Sequence, residues 1–88
     1  MYNLSESDYW RIWELQGRRC YICQRATGAR KRLAVDHDHE TGKVRALLCG
    51  PCNFTLIGRY DAQALARAIM VLTTQPAQQL LQGDTDGR

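Results

Sequence analysis

At 88 residues the chain has room for one small domain with a modest core, because short chains bury a smaller share of their surface on folding. Its formal charge of +3 falls to about +1 if the four cysteines are thiolates around one zinc ion, so net charge alone names no partner. No run approaches the ~20 apolar residues of a membrane span, and no cationic segment followed by an apolar stretch opens the chain; a soluble protein in a reducing cytoplasm is expected.

The first predicted element is a helix over residues 5–16, SESDYWRIWELQ. Ser5 is its N-cap, Asp8 complements the free amides of the first turn, and Gly17 ends the pattern. Tyr9, Ile12, Trp13 and Gln16 recur at helical spacing, the mark of a face that packs on a core. Trp10 lies off that face and stays open as a surface for stacking a base.

Next comes CYIC, a glycine-bearing basic turn, GARKR, and an extended run in which Leu33 and Val35 alternate with polar neighbours. TGK supplies a hairpin turn into a second strand, VRALLC, and CGPC follows. NFTLIGR is long enough for one or two helical turns and stops at Gly58. Asp61 caps a further helix, AQALARAIMVL, whose Leu65, Ile69 and Leu72 read as packing material. Beyond Thr73 the composition turns polar: QQLLQ can add a last helical turn, and GDTDGR is expected to be disordered. The chain therefore reads as one zinc-bound domain over residues 1–75 and a polar, flexible tail over 76–88.

The cysteines form two Cys-x-x-Cys pairs, Cys20 with Cys23 and Cys49 with Cys52, separated by 25 residues. Two such turns close a tetrahedral all-sulfur site with no open position, which makes the zinc structural. Two disulfides are the competing reading, and they require an oxidising compartment for which the sequence offers no signal.

Between Arg11 and Arg45 there are nine basic residues against four acidic ones. Three of those acids, Asp36, Asp38 and Glu40, fall in the stretch LAVDHDHETGKVRALLCGPCN, residues 33–53. A carboxylate site rimmed by cations suits a polyanion that also needs a metal; cations that merely solubilise a small domain are the plainer alternative. The second cysteine pair positions Asn53, which directly follows it. If the hairpin folds back, Asp36 approaches Asn53, and a carboxylate with an amide oxygen makes half a shell of hard oxygen donors for Mg²⁺. His37 is placed to take a proton from water, since imidazoles ordinarily titrate near ~6.5.

These motifs, with CYIC upstream, closely resemble the phage recombination endonuclease VII family, a zinc-bearing branch of the HNH or ββα-metal nucleases, over about Leu4 to Leu72. The resemblance implies an α+β fold, with a ββα-metal core flanked by N- and C-terminal helices and stapled by one zinc ion. It implies a DNA endonuclease in which Asp36 and Asn53 hold one catalytic Mg²⁺ or Mn²⁺ and His37 is the general base, leaving 5′-phosphate and 3′-hydroxyl ends. His39 would be an auxiliary residue on phosphate or water. DNA is the implied partner, and a homodimer or association with other phage proteins is open. The chain is shorter than the junction-resolving members, so a nicking activity fits its size as well as branched-DNA cutting.

On a regular strand Asp36 and His37 point to opposite faces, so a loop or bulge is expected near them. Asp38 and Glu40 are read as solvated carboxylates. Arg45 can reach a phosphate from the second strand, and Arg30, Lys31, Arg32 and Lys43 are candidates for backbone contacts rather than base reading. The rival function is a zinc module that binds nucleic acid or protein without catalysis, which leaves the Asp-His-Asp-His run and Asn53 unexplained.

Overall fold

The computed structural model describes residues 4–83. Its elements are helix α1 (Glu6–Leu15), strands β1 (Ala34–His37) and β2 (Val44–Leu48), a π-helix (Pro51–Ile57), and helices α2 (Ala62–Thr74) and α3 (Pro76–Gly83). This is a small α+β architecture around one two-stranded sheet.

Helix α1 begins as its sequence requires: Ser5 is extended, and its Oγ accepts the Asp8 N–H at 3.0 Å. The inward face is anchored by three long side chains. The Tyr9 ring is buried and its hydroxyl donates to the Leu33 carbonyl at 2.6 Å. The Trp13 Nε1 donates to the Thr27 carbonyl at 3.1 Å, and Gln16, the C-cap, reaches the outer edge of β2. Trp10, left open above, is tied into this corner: its Nε1 donates to Glu6 at 3.1 Å, and the Arg32 guanidinium lies 5.3 Å from its ring centre.

Strands β1 and β2 pair antiparallel across the turn formed by residues 38–43. The Asp38 Oδ1 accepts the N–H groups of Glu40 and Thr41 at 2.7 and 3.1 Å, and Gly42 takes a positive φ of 75°. Those two amides hold the Asp38 carboxyl below the usual carboxylate range. Asp38 thus builds the turn, where the sequence suggested only a solvated charge.

The register steps from Asp36↔Ala46 to His37↔Val44, so Arg45 has no partner across the ladder. This is the expected irregularity at Asp36 and His37, with the extra residue on the opposite strand.

Tyr9, Cys20, Leu33, Leu47, Leu48 and Cys52 form the buried cluster, with Ile12, Trp13, Val35 and Ile57 packed against it. Two of those six residues are cysteines, so the core depends on whatever the sulfurs hold.

The segment after the second cysteine pair is helical and stops at Gly58, as expected, and its hydrogen bonding is that of a π-helix: the Gly58 N–H reaches the Asn53 carbonyl five residues back, at 2.8 Å. A β-carbon on Gly58 would lie 2.9 Å from the Phe54 carbonyl oxygen and 3.0 Å from that of Asn53, so the wide turn closes only over glycine. One expectation needs correction, the packing of α2. Asp61 caps it, accepting the Ala64 N–H at 2.8 Å, but no residue of α2 is buried and Leu72 is 82% exposed. An amphipathic pattern reports that a face exists and not that anything covers it; Ile69, Met70, Val71 and Leu72 are all exposed and Leu65 is only half-buried. Pro76–Gly83 is helical, beyond the single turn expected of QQLLQ, and the rest of the segment expected to be disordered, residues 84–88, lies outside the described residues.

Candidate active site

The two cysteine pairs converge. The Sγ atoms of Cys20, Cys23, Cys49 and Cys52 all lie within 4.8 Å of one another, and those of Cys23 and Cys49 are 3.8 Å apart. All four are free thiols, not disulfides. Zinc–sulfur bonds of about 2.3 Å place tetrahedral sulfurs about 3.8 Å apart, so the cluster could bind a structural zinc ion. The surroundings divide the labour of deprotonation. The backbone amides of Ala26 and Arg25 pull the Cys23 thiol down to about 6, while burial, with Cys49 and Cys20 as neighbours, pushes Cys52 up to about 12. Four thiolates so close together need a cation to share their charge.

The cluster sets the π-helix in place, since Cys49 and Cys52 flank its start and the Asn53 N–H donates to the Cys49 carbonyl at 2.9 Å. Asn53 then faces the hairpin across a hollow of about 340 Å³ whose lining includes Asp36, His37, His39, Arg45 and Gly58. The irregular register allows two consecutive strand residues to line one space. The rings of His37 and His39 are 5.0 Å apart between centres, tilted by 55°. The four residues singled out from the sequence, Asp36, His37, His39 and Asn53, therefore share a single hollow.

Arg45 is engaged differently from its expected role on a phosphate. Its guanidinium grips Asp36 as a fork, Nε to Oδ2 at 2.7 Å and Nη2 to Oδ1 at 3.0 Å. Asp36 is 8% exposed, and this pair explains how a carboxylate sits so far inside. Nothing in a spacing of nine residues signals the contact; it follows from where the register slips. Gly58 was legible only as a helix stop, and its part in shaping the hollow comes from the width of the π-turn.

The basic loop is equally uneven. Arg32 lies 4.1 Å from the Tyr9 ring centre and pairs with Glu6 at 3.1 Å, so it serves α1. Arg30, Lys31 and Lys43 have no ion-pair partner among the described residues. Arg25, Arg30 and Lys31 line a separate, wider hollow of about 530 Å³ that also touches Cys49 and Pro51. No helix of the described residues is long and apolar enough to cross a membrane.

Comparison with known proteins points one way. The family model of recombination endonuclease VII matches residues 1–74. The Gene 59 protein of Mycobacterium phage D29 is 54% identical over 82 residues, 91% of this chain and 50% of the relative. The Gene 59 protein of Mycobacterium phage L5 is 51% identical over the same length and shares. The chain thus spans about half the length of the curated relatives it matches. No solved structure matches it.

Proposed function

The chain belongs to the recombination endonuclease VII family, and from that premise we propose that it is a phage-encoded, metal-dependent DNA endonuclease with a ββα-metal (HNH) core. The observation carrying this reading is the hollow shared by Asp36, His37, His39 and Asn53, held between the hairpin and the π-helix. A binding module leaves unexplained why a buried carboxylate, two imidazoles and an amide line one hollow.

Asp36 and Asn53 would hold the catalytic divalent cation. They offer oxygen donors, and each Asp36 oxygen keeps a lone-pair site beyond the one used by Arg45. A bound Mg²⁺ or Mn²⁺ supplies Lewis-acid stabilisation of the charge that develops on the phosphate and on the departing 3′ oxygen. His37 would take the proton from the attacking water as the water oxygen bonds to phosphorus; the bond from phosphorus to the 3′ oxygen breaks, and that oxygen takes up a proton from solvent, which leaves a 5′-phosphate and a 3′-hydroxyl. His39, beside it, orients that water or a phosphate oxygen. The four cysteines and their zinc act at one remove, by fixing where Asn53 begins the π-helix. Arg30, Lys31 and Lys43 are placed to hold the DNA backbone. The substrates in view are duplex DNA that is nicked and DNA that is branched.

The test is cleavage of supercoiled plasmid in Mg²⁺ or Mn²⁺. We expect nicked and linear products from the native chain, and a rate lower by roughly 10²–10⁴ for His37→Ala. Equal cutting by the two proteins, or cutting that persists in EDTA, overturns the reading.

A further inference from the structure

We propose that Arg45 makes occupation of the cation site conditional on a bound DNA phosphate; the proposal rests on the reading of Asp36 as a cation ligand. Asp36 and Arg45 are the acidic and the basic residue that line the hollow, and they form an ion pair with each other. Both carboxylate oxygens are engaged. A cation arriving alone keeps access to a lone pair but meets a site whose net charge is close to zero, with a guanidinium beside it. Asp38 acts electrostatically on Arg45 but does not line the hollow, and its Oδ1 is taken by the amides of its own loop.

A phosphodiester changes that balance. It brings a negative charge for the cation, and it offers acceptors to the guanidinium, which has five donors and uses two of its nitrogens on Asp36. The two partners also differ in freedom: the Arg45 side chain is 47% exposed and that of Asp36 10%, so Arg45 is the one able to turn outward toward DNA. Its place at the register slip, without a ladder partner, leaves its strand position free of a cross-strand neighbour. Cation and DNA then strengthen each other's binding, and by linkage the factor is the same in both directions. A consequence is a nuclease that does not hold its catalytic ion until a substrate phosphate is in place.

The experiment measures Mn²⁺ binding by the loss of the free-ion electron paramagnetic resonance signal, with and without duplex DNA. The zinc-loaded chain carries His37→Ala throughout, so that the DNA is cut too slowly to be consumed during a titration, and Asp36→Asn in the same background supplies the Mn²⁺ held by DNA alone. We expect DNA to tighten Mn²⁺ binding by at least about tenfold, the modest end of a solvent-screened charge interaction. Adding Arg45→Gln should tighten Mn²⁺ binding without DNA by about the same factor and shrink the gain from DNA, while Arg45→Lys, which keeps the charge, should behave like the reference. If Arg45→Gln binds Mn²⁺ alone no better than the reference, Arg45 merely positions Asp36 and the proposal is wrong. If Asp36→Asn with DNA takes up as much Mn²⁺ as the reference, the ion is not at Asp36, and the nuclease site itself must be redrawn.

Discussion

The side-chain amide of Gln16 pairs with the backbone of Leu47 as a neighbouring strand would. Its Nε2 donates to the Leu47 carbonyl at 2.8 Å, and its Oε1 accepts the Leu47 N–H at 3.2 Å. Leu47 is fully buried; its carbonyl also accepts the Tyr21 N–H at 3.2 Å, so the group that depends most on Gln16 is the Leu47 N–H, which has no water to fall back on. We expect Gln16→Ala to destabilise the zinc-loaded chain by about 1–3 kcal/mol, the cost of leaving the buried Leu47 N–H unpaired. Urea unfolding checks this; an unchanged midpoint would mean the edge of β2 finds another partner.

The sulfur cluster should control the fold as a whole. We expect about one zinc per chain to survive dialysis, and Cys52→Ser to lose both the ion and the cooperative unfolding transition. Protons compete with zinc for all four thiolates, so acid weakens the site. The Cys23 thiol, depressed from 9.0 to about 6 by the amides of Ala26 and Arg25, contributes fully above pH 9 and loses its contribution as pH falls through 6. Zinc release to a chromophoric chelator should accordingly accelerate as pH drops through that range. Release that is independent of pH between 9 and 5 would contradict the sign of this linkage.

Gly58 closes the π-helix with no room for a side chain. Its φ of −71° is ordinary, so the constraint is close approach to the Phe54 and Asn53 carbonyls and not backbone handedness. We expect Gly58→Ala to cost about 1–3 kcal/mol through overpacking, and to shift Asn53, hence to reduce plasmid nicking more than it reduces zinc content. Thermal unfolding beside a nicking assay separates the two effects; native-level nicking by this variant would show that Asn53 tolerates a moved turn.

The cations of the basic loop should divide into two groups. Arg30 and Lys31 have no ion-pair partner among the described residues, so each alanine variant should weaken DNA binding and lower the slope of log affinity against log salt by about 1. Arg32 sits on the Tyr9 ring and pairs with Glu6, so Arg32→Ala should lower thermal stability and leave that slope nearly unchanged. Fluorescence anisotropy across a salt series reads the difference, and identical slopes for all three variants would erase the distinction.

What the sequence determined by itself is local. Ser5 and Asp61 each cap the amide three residues on, the two Cys-x-x-Cys turns are short enough to present paired sulfurs, and TGK brings Gly42 to its positive φ. In each case the partners are so near along the chain that connectivity leaves few other geometries. The irregularity at Asp36 and His37 was legible too, because strand alternation forbids consecutive residues from addressing one space. Tertiary structure alone decided the rest. The grip of Arg45 on Asp36 depends on a register slip, the pairing of Gln16 with Leu47 spans 31 residues, and α2 buries none of its residues despite its apolar pattern. Such contacts are selected by how whole elements dock, and residue type fixes only which groups are able to meet.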